Sequence, residues 1–165
     1  MRGSIVSGTN VLQLIAACGV SLGAGVIGSL ASGPAGFQTW YAAIRKPSFT
    51  PPGWVFGPVW TILYILMGVA AFLVWRKGLD SRAVRAALAW FLGQLILNAL
   101  WSPVFFGWHR IGLAFIVLVW LWIVLAVTLW RFAGISRAAA GLLVPYLAWV
   151  SFAGVLNASI WWLNR

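Results

Sequence analysis

The sequence predicts an all-α membrane protein, a bundle of five transmembrane helices, on three observations. Of its 165 residues, 63% are hydrophobic and 7% charged, and the mean hydropathy is +0.99, far outside the soluble range. About 20 apolar residues span a bilayer, and stretches of roughly that length can be laid at about 6–31, 51–75, 83–106, 111–132 and 138–163. The 11 basic residues fall mostly between those stretches, where they orient a membrane protein and meet anionic lipid. A net charge of +10 therefore does not point to nucleic acid. Residues 1–165 read as one transmembrane domain.

The first span carries Ala16, Gly19 and Gly23, a small-residue stripe that is expected to pack within the monomer. Arg2 and the Ser29, Leu30, Ala31 run also allow a cleaved-signal reading, but the apolar run is longer than such a segment normally has. The lone Cys18 reads as a small packing residue.

The first loop and the entrance of the second span together form the segment the rest of the chain is organised around, Trp40 to Tyr64, WYAAIRKPSFTPPGWVFGPVWTILY. Thr50 is expected to cap the second helix, with Pro51 and Pro52 in its first turn, where a missing N–H costs nothing. Pro58 should bend the helix where Trp60 and Tyr64 point inward. The result is an aromatic wall with a rim formed by Arg45, Lys46 and Trp54. Pro47 keeps the residue before it extended, so the two cations are expected at the pocket mouth.

In the third span, Gln94, Asn98 and Ser102 recur at i, i+4 and i+8 and share a helix face. They serve either as interhelical glue or as ligand contacts. Pro103 would free the Ala99 carbonyl. Ala86, Ala89 and Gly93 make a second small stripe, the expected interface of a homodimer. The fourth span is nearly featureless, and Trp120 and Trp122 should face lipid or another subunit. The fifth contains Pro145, Tyr146, Trp149 and Asn157.

Counting Lys and Arg on alternate sides gives Arg2, Arg76, Lys77, Arg82, Arg85, Arg131 and Arg137 against Arg45, Lys46, Arg110 and Arg165, which places the N terminus in the cytoplasm. Whether the membrane is inner or outer is left open. Interfacial anchoring explains Trp75, Trp90, Trp108, Trp130, Trp161 and Trp162 but not Trp149, which lies roughly 16 Å inside its span. Alternating topology brings Trp40, Trp54, Trp60, Trp101, Asn98 and Asn157 to the half nearest the first loop. A cavity of indoles and amides under a basic loop suits a large, flat, apolar ligand with carboxylates at one edge, and a tetrapyrrole fits better than a sterol.

One Asp, Asp80, and one His, His109, do not equip the chain for conventional hydrolysis or metal catalysis. No span carries a central ionisable group of the kind proton-coupled transport uses. His109 is weighed as an axial haem ligand against the plainer reading of a solvated loop histidine.

These residues closely resemble the translocator protein and tryptophan-rich sensory protein family, TspO/MBR. The match runs through Trp40 and Tyr41, through Lys46-Pro-Ser-Phe-Thr-Pro-Pro-Gly-Trp54-Val-Phe-Gly-Pro-Val-Trp60, and through Leu63 and Tyr64. It continues in Gln94, Leu95, Asn98, Trp101, Pro103, Phe105, Phe106 and Gly107, and in Pro145 to Trp149, Phe152, Ala153, Leu156 and Asn157. The resemblance implies a five-helix bundle, commonly a dimer, that binds porphyrins and haem, sterols in some members, and synthetic isoquinoline or benzodiazepine ligands.

On that resemblance the ligand contacts are Trp40, Trp60, Asn98, Trp101, Trp149 and Ala153, with Tyr64 added from the shape of the wall. The implied role is a tetrapyrrole sensor or scavenger that needs no cofactor or metal, porphyrin or haem entering as ligand. Alternatives are a porphyrin or sterol transporter, or light-dependent porphyrin breakdown through the tryptophans at 40 and 149. The family's C-terminal sterol pattern lacks its tyrosine between Leu156 and Arg165, which puts cholesterol in doubt.

Overall fold

In the computed structural model of the chain, residues 8–33 and 39–165 are described, and over them five helices are long and apolar enough to cross a membrane. These are α1 (Gly8–Ser32), α3 (Gly53–Trp75), α4 (Arg82–Ser102), α5 (Ile111–Ala133) and α6 (Arg137–Leu163); α2 (Tyr41–Ala43) is a single turn in the first loop. The expected start of the first span at residue 6, Arg2, and residues 34–38 of the first loop lie outside the described residues. Around the bundle the order is α1, α3, α6, α5, α4, with α4 returning to α1.

The helices form because long apolar runs must satisfy their backbone groups internally in lipid. They end where that pattern is interrupted. Gly33 closes α1 in the left-handed region at φ 71°, its N–H bonded to the Leu30 carbonyl. Gly78, at φ 99°, does the same service after α3. At the start of α6 the Ser136 hydroxyl accepts the Ala139 N–H.

The start of α3 differs from the sequence expectation. Thr50 does not cap the helix; its N–H and Oγ1 both bond to the Pro47 carbonyl, closing a turn. Pro51 and Pro52 lie ahead of the helix, and Pro52 is extended at φ −56°, ψ 143°. A residue preceding proline is pushed out of the α region, so the two X-Pro bonds keep Thr50 and Pro51 out of the helix, which begins at Gly53. The helix then continues through Pro58.

A second difference concerns α1. Its packed face is Ala17, Ser21, Ala24 and Gly28, whereas Gly19 and Gly23 have nothing among the described residues within 4 Å of where a Cβ would stand. The stripe expected to pack within the monomer is thus open. Close approach occurs instead at Gly68 of α3, where a Cβ would come 2.5 Å from Cys18 Cα, and at Gly28, where it would meet the Ala99 carbonyl at 3.0 Å.

The shared core is made of Met67 and Ala70 from α3, Ala87 and Gln94 from α4, Leu121 and Leu125 from α5, and Leu143 and Tyr146 from α6. Outward faces stay apolar, as at Leu12, Ile27, Ile62, Ile96 and Trp120, which suits lipid rather than water. Trp122, also outward, donates its indole N–H to the Ser151 hydroxyl at 2.9 Å.

Pro103 ends the α-helical geometry of α4. With no N–H to give the Ala99 carbonyl, the chain widens into a π-helical turn, Pro103–Gly107, and the Trp108 N–H reaches the Pro103 carbonyl at 2.8 Å. His109 then takes φ 55°, a conformation that histidine tolerates better than bulky residues, and turns the chain into α5.

Candidate functional site

The site is assembled at the first-loop end of the bundle from α3, α4 and α6. A chain of side-chain hydrogen bonds fixes its floor. Tyr64 Oη donates to Asn98 Oδ1 at 2.5 Å, Asn98 Nδ2 donates to Tyr146 Oη at 2.9 Å, and Tyr146 Oη donates to Gln94 Oε1 at 2.9 Å. Gln94 and Asn98 therefore act as interhelical glue, while Asn98 also reaches the cavity wall. Ser102, the third member of that face, bonds instead to the Ser32 hydroxyl of α1 at 2.8 Å.

Above this floor stand the aromatics. Trp60 stacks on Tyr64, with ring centroids 5.5 Å apart, and meets Tyr146 edge-on at 6.1 Å. Trp101 stacks on Phe105 at 5.4 Å and donates its N–H to Asn157 Oδ1, and Asn157 Nδ2 in turn holds the Ile111 carbonyl at the start of α5. Trp149 lies between Phe56 and Phe152, at 6.0 and 5.5 Å. The indole N–H groups of Trp60 and Trp149 donate to no group among the described residues.

Two cavities share this wall. The larger, about 440 Å³, is bounded by α1, α3 and α4, with Gly25, Gly28, Trp60, Tyr64, Asn98 and Trp101 on its surface. On its α1 side Gly25 gives room to the Tyr64 ring, with which a Cβ there would collide. The smaller, about 30 Å³, lies beneath the loop among Tyr41, Trp149, Phe152, Ala153 and Asn157. That space is about the share of one water. Phe56, Trp60, Trp101 and Phe106 border both.

The structure thus divides the residues singled out from the sequence. Tyr64 and Asn98 face the larger cavity, Trp149 and Ala153 the smaller, and Trp60 and Trp101 both. Trp40 lines neither; it stacks on His109 at 4.4 Å and meets Phe105 edge-on. Trp54 is 77% exposed on the outer surface. The two rim cations also part company. Lys46 Nζ donates to the carbonyls of Tyr41, Ala42 and Ile44 and lies 5.0 Å over the Tyr41 ring, so it closes the loop on itself. Arg45 is exposed, and its guanidinium has no partner among the described residues.

Beneath the loop Tyr41 is buried, which pushes its phenol up and keeps it neutral. Phe49 meets Phe152 edge-on at 6.3 Å, which rests the loop on α6. Sequence reasoning passed over Gly25 and Gly28, whose i, i+3 spacing on one side of α1 was the available signal; Gly25 meets Tyr64 of α3 and Gly28 meets Ala99 of α4. It noted Tyr146 without seeing it as the hub of the polar chain.

The family model described as "TspO/MBR family" matches residues 15–163. The tryptophan-rich protein TspO of Chlorobaculum tepidum is 44% identical over 156 residues, 93% of this chain and 97% of the relative. The human translocator protein is 44% identical over 124 residues, 74% of this chain and 73% of the relative. The tryptophan-rich sensory protein of Cereibacter sphaeroides is 37% identical over 153 residues, 93% of this chain and 90% of the relative. With a five-span bundle and a family match over most of its length, this chain belongs to the TspO/MBR family.

Proposed function

We propose that the protein binds a tetrapyrrole, porphyrin or haem, within the membrane and acts as a sensor or scavenger of it. The observation that carries this reading is the half-buried indole of Trp60, whose N–H donor is unspent on the wall of a cavity of about 440 Å³, with the equally unspent N–H of the half-buried Trp149 on the adjoining smaller cavity. A volume in that range suits a ligand of drug size or larger, and flat apolar faces with a few donors select a flat ring system with acceptors at its edge. The names of relatives, sensory protein and translocator protein, are compatible with a small-molecule receptor in a membrane.

On this reading the macrocycle lies against Trp60 and Trp101, with Tyr64 and Asn98 below. Trp149 and Ala153 come into contact once Phe56 or Trp60 shifts to join the two cavities. Arg45 supplies a cation for a propionate. The reading includes a homodimer through α4, where Ala89 is exposed, and an N terminus on the cytoplasmic side.

Titrating the purified protein with protoporphyrin IX in darkness, followed by illumination and product analysis, tests it. Saturable quenching of tryptophan fluorescence with the porphyrin recovered intact supports binding. A light-dependent product lost in Trp149→Phe favours the photochemical alternative, and absence of saturable quenching overturns the proposal.

A further inference from the structure

On a different face of α6 from Trp149 and Ala153, two hollows lie in line between α5 and α6. One, about 410 Å³, sits where α5 begins and α6 ends and is lined by His109, Arg110, Gly112, Trp161, Asn164 and Arg165. The other, about 460 Å³, follows deeper along the same two helices, walled by Phe115, Val119 and Trp122 against Gly154, Val155 and Ala158. The stacked pair Phe115 and Trp161, 6.2 Å apart, lies at the junction. A Cβ at Gly154 would meet nothing within 4 Å among the described residues, so the deeper hollow owes part of its width to that glycine.

We propose that this groove is a binding site for an anionic glycerophospholipid, its phosphate held by Arg110 and Arg165 and one acyl chain laid between α5 and α6. The head of the groove carries two guanidinium groups with no acidic side chain beside them. The Arg110 guanidinium has no hydrogen bond, ion pair or ring contact among the described residues, and Arg165 lies 3.1 Å over the Trp162 ring. Asp80, the chain's single acidic side chain, is in the connection between α3 and α4, at the opposite end of the bundle. Basic pockets between transmembrane helices take lipid phosphates, and arginine meets phosphate with two parallel donors. The first turn of α5 adds backbone N–H groups that have no carbonyl one turn back.

The tail of the groove has the matching chemistry and reach. From Gly112 to Ile123 the helix rises roughly 16 Å, about half of a hydrocarbon core of about 30 Å, which is the depth of one acyl chain. A free phosphate would leave this apolar trough unused. A sterol would bring no charge to the two arginines. A second copy of the chain has no acidic side chain to offer them at this end.

Native mass spectrometry of the detergent-purified protein titrated with phosphatidylglycerol or phosphatidylcholine tests the site. The expected result is at least a tenfold preference for phosphatidylglycerol, lost in the Arg110→Gln, Arg165→Gln double variant and kept in an Arg76→Gln, Arg85→Gln control at the other end. Gly154→Leu, which fills the trough and leaves the charges, should lower phosphatidylglycerol binding about tenfold. Helicity is checked by circular dichroism for each variant. Equal binding of the two lipids, or an unchanged preference in the double variant, overturns the proposal. So does competition by cholesterol in place of phosphatidylglycerol, or a Gly154→Leu protein whose only change is loss of a dimer.

Discussion

Asn164, at the end of α6, holds the main chain of Arg45 in both directions. Its Oδ1 accepts the Arg45 N–H at 3.0 Å and its Nδ2 donates to the Arg45 carbonyl at 2.8 Å, while the same Nδ2 reaches the Ile160 carbonyl. One amide thus ties the loop over the smaller cavity to the helix that carries Trp149. Asn164→Leu removes both bonds at a cost of about 1–2 kcal/mol, on the scale of two neutral hydrogen bonds at a partly exposed site. Amide hydrogen exchange at Arg45 should speed up by about tenfold or more, with exchange in the middle of α6 unchanged. Unchanged exchange at Arg45 would show that the clamp does not hold the loop.

The buried chain from Tyr64 through Asn98 and Tyr146 to Gln94 predicts a second effect. Tyr146→Phe strips the hydroxyl that serves as acceptor for Asn98 and donor to Gln94, leaving an amide N–H and an amide oxygen unpaired in the core. The expected loss is about 1–3 kcal/mol, read as a lower thermal midpoint in detergent. Tyr64→Phe removes only one bond, at the cavity edge, and should cost less. The reverse order of the two losses would place the hub of the chain elsewhere.

Glycine substitutions separate the two faces of α1. Gly68→Ala drives a methyl group into Cys18 of α1, main chain included, and should destabilise the bundle by about 1–3 kcal/mol, as overpacking does. Gly19→Ala and Gly23→Ala meet open space and should be neutral or slightly stabilising, since alanine is the better helix former. Thermal unfolding in detergent measures all three, and a large loss at Gly19 would mean that its face is covered.

The wall itself predicts an order of ligand effects. Trp60 borders both cavities and Trp149 only the smaller, so Trp60→Phe should weaken protoporphyrin quenching more than Trp149→Phe. Each loses an indole N–H and part of a flat face, and Trp149→Phe should cost several-fold in affinity, about 1 kcal/mol. Equal affinity of wild type and Trp60→Phe, with normal helicity, would remove Trp60 from the site.

The five helices were legible because length and apolarity suffice to find a bilayer span, and Trp60, Trp101 and Asn98 because helical spacing puts them at one depth. The packed face of α1 was not. Almost every residue there is small or apolar, so Ala16, Gly19, Gly23 and Ala17, Ser21, Ala24 are equally good stripes until α3 is in place. Thr50 misled because the same residue type serves helix caps and turns, and the choice is made by the two prolines that follow. The inward turn of Lys46 depends on three loop carbonyls converging, a relation with no periodicity to read.

That turn of Lys46 yields the last prediction. If both rim cations met the propionates, Arg45→Gln and Lys46→Gln would each weaken a porphyrin dicarboxylate and spare an uncharged isoquinoline ligand. The geometry separates them. Lys46 Nζ bonds the carbonyls of Tyr41, Ala42 and Ile44 at 2.6, 3.1 and 3.1 Å, so its three donors are already used in holding Tyr41 over the smaller cavity. Glutamine cannot replace three donors and a cation at that reach; the loop should loosen, and the charged and the neutral ligand should lose affinity alike. Arg45 is tied only through its main chain, which leaves the guanidinium to meet a carboxylate with a charge-assisted bond of about 1.5–3 kcal/mol. Arg45→Gln should therefore weaken protoporphyrin about tenfold or more, flatten its salt dependence and leave the neutral ligand nearly unchanged. Paired titrations of the two ligands at low and high salt measure the split. Equal losses in Arg45→Gln would show that this residue, too, acts through the loop, and a loss confined to the porphyrin in Lys46→Gln would show that Nζ leaves its carbonyls when the ligand binds.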